Sequence, residues 1–196
     1  MVWRTRLGVD AYAAAGRDLV VPRLACPSCA TVMTFWGWYR RDVRAGDVVR
    51  LWVRRLWCGP CGATQAVLPE FVVHGRLDSV EVIGDTIAVM VAGVGMRPAA
   101  LRAGVPHTTA RDWRRRFADR AELLVAGFVA ATVAVSGVSP KVTGRAETAA
   151  LAAVDALWQA AGRRWPGGVG SRWRLVNAVV GSHLLSANTD PPWAVR

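Results

Sequence analysis

The chain has 196 residues, 53% hydrophobic and 20% charged, which is enough apolar material for one or two packed domains and too little charge for a disordered tail. Its net charge of +11 and pI near 11.2 call for an acidic partner, although Lys141 is its one lysine and a chain rich in Arg, Ala, Val and Gly also fits GC-rich coding. Four cysteines exclude a disulfide-dense secreted scaffold, and without a basic-then-apolar opening no signal peptide is expected, so the reading is cytoplasmic with reduced or metal-bound thiols.

Residues 1–25 are apolar and irregular and carry no motif. From Cys26 to Phe71 the composition turns β-branched and Trp-rich. It predicts strands over Thr31–Tyr39 and Val48–Trp57, joined by a turn at Ala45-Gly46-Asp47. In the second strand Val49, Leu51 and Val53 alternate with Arg50, Trp52 and Arg54, the period of a half-buried ribbon. A third strand over Thr64–Leu68 must stop at Pro69.

Beyond about residue 78 the pattern is helical. Asp78 or Ser79 caps a helix reaching Val91, with Glu81 and Asp85 in its early turns, and Gly93 and Gly95 break it. Pro98 suits the first turn of a helix over Ala99–Ala103, which Gly104 ends, and the next helix is expected over His107–Phe117. Apolar helices over 119–136 and 145–162 follow, then a break at Trp165-Pro166-Gly167-Gly168 and a last helix over Arg172–Leu185. The uncharged run Leu123–Pro140 is 18 residues long, near the lower limit for a membrane span. Its Gly, Ser and Thr content favours a buried core helix or a dimer helix instead.

The charge is patterned. Residues 36–57 carry +4 and 97–120 carry +5, whereas 58–96 carry −3. Two short windows therefore hold most of the excess, and each should match an element that faces phosphate.

All four cysteines fall in two pairs, Cys26-Pro27-Ser28-Cys29 and Cys58-Gly59-Pro60-Cys61, with Gly62 directly after the second. A two-residue spacer lets both thiolates of a tight turn face one cation, and two such turns make a closed four-sulfur site that suits structural Zn²⁺. The 28 intervening residues exceed the usual spacing, but a two-armed hairpin returns its ends to one place. This is the arrangement of a zinc ribbon. A thioredoxin-like motif would not need a second pair, two disulfides suit a reducing compartment poorly, and an iron–sulfur site stays open on spacing alone.

The second basic window reads as a helix-turn-helix: a short helix, a turn at Gly104 and a second helix. On the second helix Ala110, Trp113 and Phe117 share the inner face. His107, Thr108 and Arg111 stand near its start, where a recognition helix meets base edges, and Arg114, Arg115 and Arg116 are placed for phosphates. Asp112 either accepts from a cytosine amino group or pairs with Arg115 or Arg116 one turn on, and the pairing is favoured. In the hairpin Arg40, Arg41, Arg50, Arg54 and Arg55 could track a nucleic-acid backbone, with Trp52 beside them to stack.

The paired knuckles, the Arg/Trp-rich hairpin, the run Cys61–Phe71 and the helix-turn-helix together resemble an uncharacterised bacterial family of helix-turn-helix proteins with a zinc-ribbon-like domain of unknown function. The same module resembles the N-terminal DNA-binding region of insertion-sequence transposases. The resemblance covers about residues 20–118, and the tail from Gly181 to Trp193 looks like the family's ending. It implies that Cys26, Cys29, Cys58 and Cys61 bind zinc and that Thr108, Arg111 and Arg115 face DNA. Pro106 departs from the small polar cap expected before the recognition helix.

The expected fold is thus α+β: a small zinc-ribbon hairpin or sheet over 20–76, an all-α helix-turn-helix over 78–118, and a C-terminal helical region over 119–196 that forms a core or a dimer contact. A transposase also needs three acidic metal ligands, and beyond residue 118 only Asp119, Glu122, Glu147, Asp155 and Asp190 are acidic, with no strands to assemble them. No P-loop, nucleophile elbow or dinucleotide loop is present, and His74, His107 and His183 are isolated. The leading expectation is a non-enzymatic, zinc-stabilised protein bound to double-stranded DNA, cytoplasmic and nucleoid-associated, either a transcriptional regulator or a transposon-associated module, with a possible homodimer through Leu123–Val135. The alternatives are an adaptor that binds an acidic protein or RNA, and a degenerate enzyme fragment.

Overall fold

The computed structural model describes residues 1–185, so the part of the tail at 186–193 lies outside the described residues. Within them the architecture is mixed α+β, with one four-stranded sheet and seven helices. The strands are β1 (Val2–Trp3), β2 (Thr34–Ala45), β3 (Asp47–Trp57) and β4 (Thr64–Pro69), in the order β1-β4-β3-β2. Strands β2, β3 and β4 run antiparallel, and β1 lies parallel to β4 through Val2–Leu68 and Trp3–Pro69. The helices are α1 (Val9–Ala15), α2 (Val80–Val91), α3 (Met96–Ala103), α4 (His107–Ala118), α5 (Ala121–Ser136), α6 (Ala146–Arg164) and α7 (Arg172–Val179).

The hairpin forms as its residues dictate. Gly46 takes φ 101 at the turn, a left-handed backbone that glycine reaches without steric cost. Leu51 and Val53 are fully buried while Arg50 is exposed, as the alternation requires. The pairing register jumps from Phe35–Leu56 to Gly37–Arg55, so Trp36 is the extra residue of a β-bulge. Below the bulge Leu51 and Val53 pack with Val43, Tyr12 and Phe71, and above it Leu56 packs with Met33, Val67, Cys26 and Cys58.

Residues 1–25 are not irregular, and this corrects the sequence reading. Strand β1 extends the sheet and α1 seats Tyr12, fully buried, edge-on against Phe71 at 5.5 Å. A two-residue strand and a seven-residue helix begun at Gly8 without a side-chain cap are too short to carry a hydrophobic period; tertiary packing holds them.

Other boundaries shift as well, and β2 runs on past Tyr39 to Ala45. Strand β2 begins at Thr34 because Val32 bridges Ala25. Helix α3 starts at Met96, taking in Pro98 within its first turn. Helix α7 stops at Val179, since Ser182 adopts φ 73 and its hydroxyl donates to the Val72 carbonyl.

One large core joins α2 through α7, from Val73 to Leu185. Helix α5 spends its apolar face on this core, burying Leu124, Gly127, Phe128 and Thr132, and no helix among the described residues is long and apolar enough to cross a membrane. Helix α7 ties the chain together. Its Trp173 ring lies so close to α2 that a Cβ on Gly84 would stand 2.1 Å from it, and the indole N–H donates to Asp85 at 2.7 Å. Asn177 Nδ2 donates at 2.8 Å to the carbonyls of both Glu70 and Val72, clamping the connector between β4 and α2.

Candidate metal centre and nucleic-acid interface

The two cysteine turns are built alike. The Cys26 carbonyl accepts from Ala30 N–H at 2.9 Å and its N–H donates to Thr31 O at 2.8 Å; the Cys58 carbonyl accepts from Gly62 N–H at 2.8 Å and its N–H donates to Ala63 O at 2.9 Å. The residue after the second cysteine of each pair is left-handed, Ala30 at φ 60 and Gly62 at φ 67. Glycine adopts this freely, whereas alanine does so at a cost of roughly 1–2 kcal/mol, which is why Gly62 is visible as a sequence signal and Ala30 is not. Strands β2 and β3 leave from these turns, and their Thr34–Trp57 pairing brings the turns together.

The four sulfurs lie within 4.8 Å of one another. Four of the separations are 3.1 Å (Cys29–Cys61), 3.4 Å (Cys29–Cys58 and Cys58–Cys61) and 3.7 Å (Cys26–Cys61). A disulfide would need ~2.05 Å. Four thiolates ~2.3 Å from one tetrahedral ion keep ~3.8 Å between sulfurs, so the set fits a metal with a small expansion. Cys26 and Cys58 are buried and Cys29 and Cys61 exposed, so the site sits at the surface with one wall in the protein.

The electrostatics point the same way. Hydrogen bonds from the Thr31 hydroxyl, then from the Cys61 thiol, bring the Cys29 pKa down to about 6, and the Ser28 and Cys29 backbone N–H groups lower that of Cys26. Cys61, crowded by the Cys29, Cys58 and Cys26 sulfurs, is held well above the thiol range. Four like charges in so small a volume ionise together only around a cation. These residues could hold one metal ion closed to substrate.

Helix α4 turns Ala110, Trp113 and Phe117 into the core, all three fully buried. It starts after Pro106, whose carbonyl accepts from the Thr109 and Ala110 N–H groups in place of a side-chain cap. Gly104, at φ 65, turns the chain between α3 and α4. His107, Thr108, Arg111, Arg114 and Arg115 are exposed and Arg116 is half-buried.

Their charges are not equally available. Asp112 accepts from Arg115 Nη2 and from Arg116 Nε, each at 2.8 Å, and lies 3.7 Å from Arg76. Arg114 donates to Glu147 of α6 at 3.1 and 3.4 Å. Arg111 has no ion pair among the described residues, and neither do Arg97 and Arg102, both exposed on α3. Sequence reasoning passed over Arg97 and Arg102; the basic window that contains them was the available signal.

Residues 26–101 match the model of a family described as a domain of unknown function (DUF6431). The DUF6431 match begins at the first cysteine of the metal cluster and ends inside α3, so α4 lies beyond it. No curated protein and no solved structure matches the chain.

Tertiary structure also brings together residues that the sequence separates. The His74 and His183 rings meet at 5.1 Å, tilted by 45°, and burial, then the His74 charge, lowers the pKa of His183. In the hairpin, Arg41 donates to the Val73 and Arg76 carbonyls at 2.8 and 2.7 Å, and Arg50 binds Asp42 at 2.7 Å. Arg41 is thus held by two backbone carbonyls, and Arg50, at the surface, shares its charge with Asp42. Arg55 donates to Thr64 Oγ1 at 3.1 Å, while Arg40 and Arg54 lie on aromatic rings.

Proposed function

We propose that the chain is a zinc-stabilised DNA-binding protein without a catalytic step, in which α3, the Gly104 turn and α4 act as a helix-turn-helix. The observation that carries the reading is the division of α4. Ala110, Trp113 and Phe117 anchor one face while His107, Thr108 and Arg111 stand free at the N-terminal end of the other, where a recognition helix meets base edges. Arg111 is the residue to read a guanine, and Arg97 and Arg102 extend the positive surface along α3. Zinc at Cys26, Cys29, Cys58 and Cys61 would hold the ribbon's sheet to its knuckles and supply folding energy.

The likeness to transposase N-terminal regions makes a nucleoid-associated regulator or a transposon-associated module the fitting role. A second copy would dock on the outward side of α5, where Leu123 and Val133 remain exposed. A second reading, an adaptor for an acidic protein or RNA, draws on the carboxylates already paired with Arg114, Arg115 and Arg116.

Selection from a random duplex pool at near-physiological salt, with metal assayed in the same preparation, tests the proposal. One enriched motif with about one zinc per chain is expected, and Arg111→Ala should relax preference at one base by about 1–3 kcal/mol. No enrichment from folded, zinc-loaded protein refutes the DNA reading in favour of the adaptor. Light scattering checks the dimer: a monomer mass at every concentration refutes it.

A further inference from the structure

Four arginines of the N-terminal half lie on aromatic rings instead of carboxylates. On the hairpin Arg40 stands opposite Trp52 and Arg54 opposite Trp38, and every second residue of a strand shares a face, so these four belong to one side of the ribbon. The Arg40 guanidinium is 4.8 Å from the Trp52 ring; that of Arg54 is 4.7 Å from Trp38 and 4.1 Å from Phe35. The chain after α1 buries Val21 with Leu56 and Trp38 on this side, and brings Arg17 to 5.3 Å from Trp52 and Arg23 to 5.1 Å from Phe35. Two clusters result, Arg17 and Arg40 at Trp52, and Arg23 and Arg54 at Phe35 with Trp38 beside Arg54.

These clusters are not electrically closed. None of the four arginines has a carboxylate partner among the described residues, and the neighbouring acid, Asp42, is bound by Arg50 opposite it at 2.7 and 3.1 Å. A guanidinium lying against a ring keeps its in-plane N–H donors free at its edge. Arg54 Nε, although buried, has no acceptor among the described residues. Burial and the nearby Arg17 charge also push the Arg54 pKa below its usual value, so the cluster favours an incoming anion. Ladder positions repeat every ~6.7 Å along a strand, close to the length of one extended nucleotide. Unmatched cations beside π-layers answer phosphates and unpaired bases together.

We propose that this face of β2–β3, made by Arg17, Arg23, Phe35, Arg40, Trp52 and Arg54, binds single-stranded nucleic acid. It is a second surface and does not depend on the duplex reading of α4.

The test is fluorescence anisotropy of labelled oligo(dT) and oligo(U) of about 15 nucleotides with the full metal-loaded chain at low salt. At least one should bind, and the tighter names the natural strand. Phe35→Ala should weaken it about tenfold. Arg40→Gln, which keeps a polar side chain at an exposed position, should lower the salt slope by about 0.7, and Arg163→Gln, at an exposed position in the last turn of α6, should change neither quantity. Binding of neither strand overturns the proposal, as does affinity insensitive to both hairpin changes. Equal binding of an abasic backbone, or equal displacement by duplex or by polyglutamate, also overturns it, because the rings would then play no part.

Discussion

Asp112→Asn removes one carboxylate and releases the guanidiniums gathered on it. Arg115 and Arg116 each donate to Asp112 at 2.8 Å, from opposite oxygens, and Arg76 adds a longer pair at 3.7 Å. Burial pushes this carboxyl up, but the Arg115 and Arg116 hydrogen bonds outweigh it and hold the pKa below the usual carboxylate range. A depressed folded pKa contributes stability that is present above the unfolded value near ~4 and is lost as pH falls through the folded value. The Arg115 pair stands in solvent, so the measurable loss rests on the less exposed Arg116 pair, about 0.3–0.5 kcal/mol at neutral pH, and wild type and variant converge in acid. For the proposed DNA contact the effect has the opposite sign. Each freed guanidinium that reaches a phosphate steepens the slope of log affinity against log salt by about 0.9, so the two together add up to ~1.8. Anisotropy titrations of a duplex at several salt concentrations measure that slope directly. An unchanged slope with a folded variant would remove this face of α4 from DNA. A loss confined to the selected sequence, without stronger non-specific binding, would mean that Asp112 accepts from a cytosine instead of restraining its neighbours.

Three further outcomes are expected. Cys58→Ser should abolish metal binding and melt the β2–β3–β4 region, because Cys58 is both a cluster sulfur and a fully buried neighbour of Met33, Leu56 and Val67; small zinc modules draw on the order of 10–16 kcal/mol from their ion, and an unchanged melting curve contradicts the metal assignment. Gly84→Ala gains about 1 kcal/mol of helix propensity but drives a Cβ to 2.1 Å from Trp173, so urea unfolding should show a net loss of about 1–3 kcal/mol; equal or higher stability would mean that Trp173 is not seated on α2. Glu70→Gln should stabilise the protein at pH 7. Burial raises the Glu70 pKa despite the Thr5 N–H bond at 2.5 Å and Arg174 at 4.0 Å, so the native acid contributes fully only below its unfolded pKa and loses that contribution as pH rises through the folded one. The stability gain of the variant should therefore vanish in acid, and a gain that persists there would contradict the burial argument.

The sequence by itself determined what short-range chemistry controls. A two-residue spacer closes each cysteine turn, alternation over Val49–Arg54 makes a one-sided ribbon, Ser79 caps α2 by accepting from Val82 N–H at 3.3 Å, and the spacing of Ala110, Trp113 and Phe117 aims one face of α4 inward. Each depends on residues within a turn or two of chain, so local geometry suffices to read it. The sequence also anticipated the pairing of Asp112 with Arg115 and Arg116, which lie one helical turn away. Only tertiary structure decided which cations remain available. Arg114 meets Glu147 across 33 residues, Arg41 is taken by carbonyls of the β4–α2 connector, and Arg17 and Arg23 are carried onto the hairpin by a segment with no period of its own. An arginine's charge is written in its side chain, but whether that charge is spent depends on a partner that only the folded chain brings within reach.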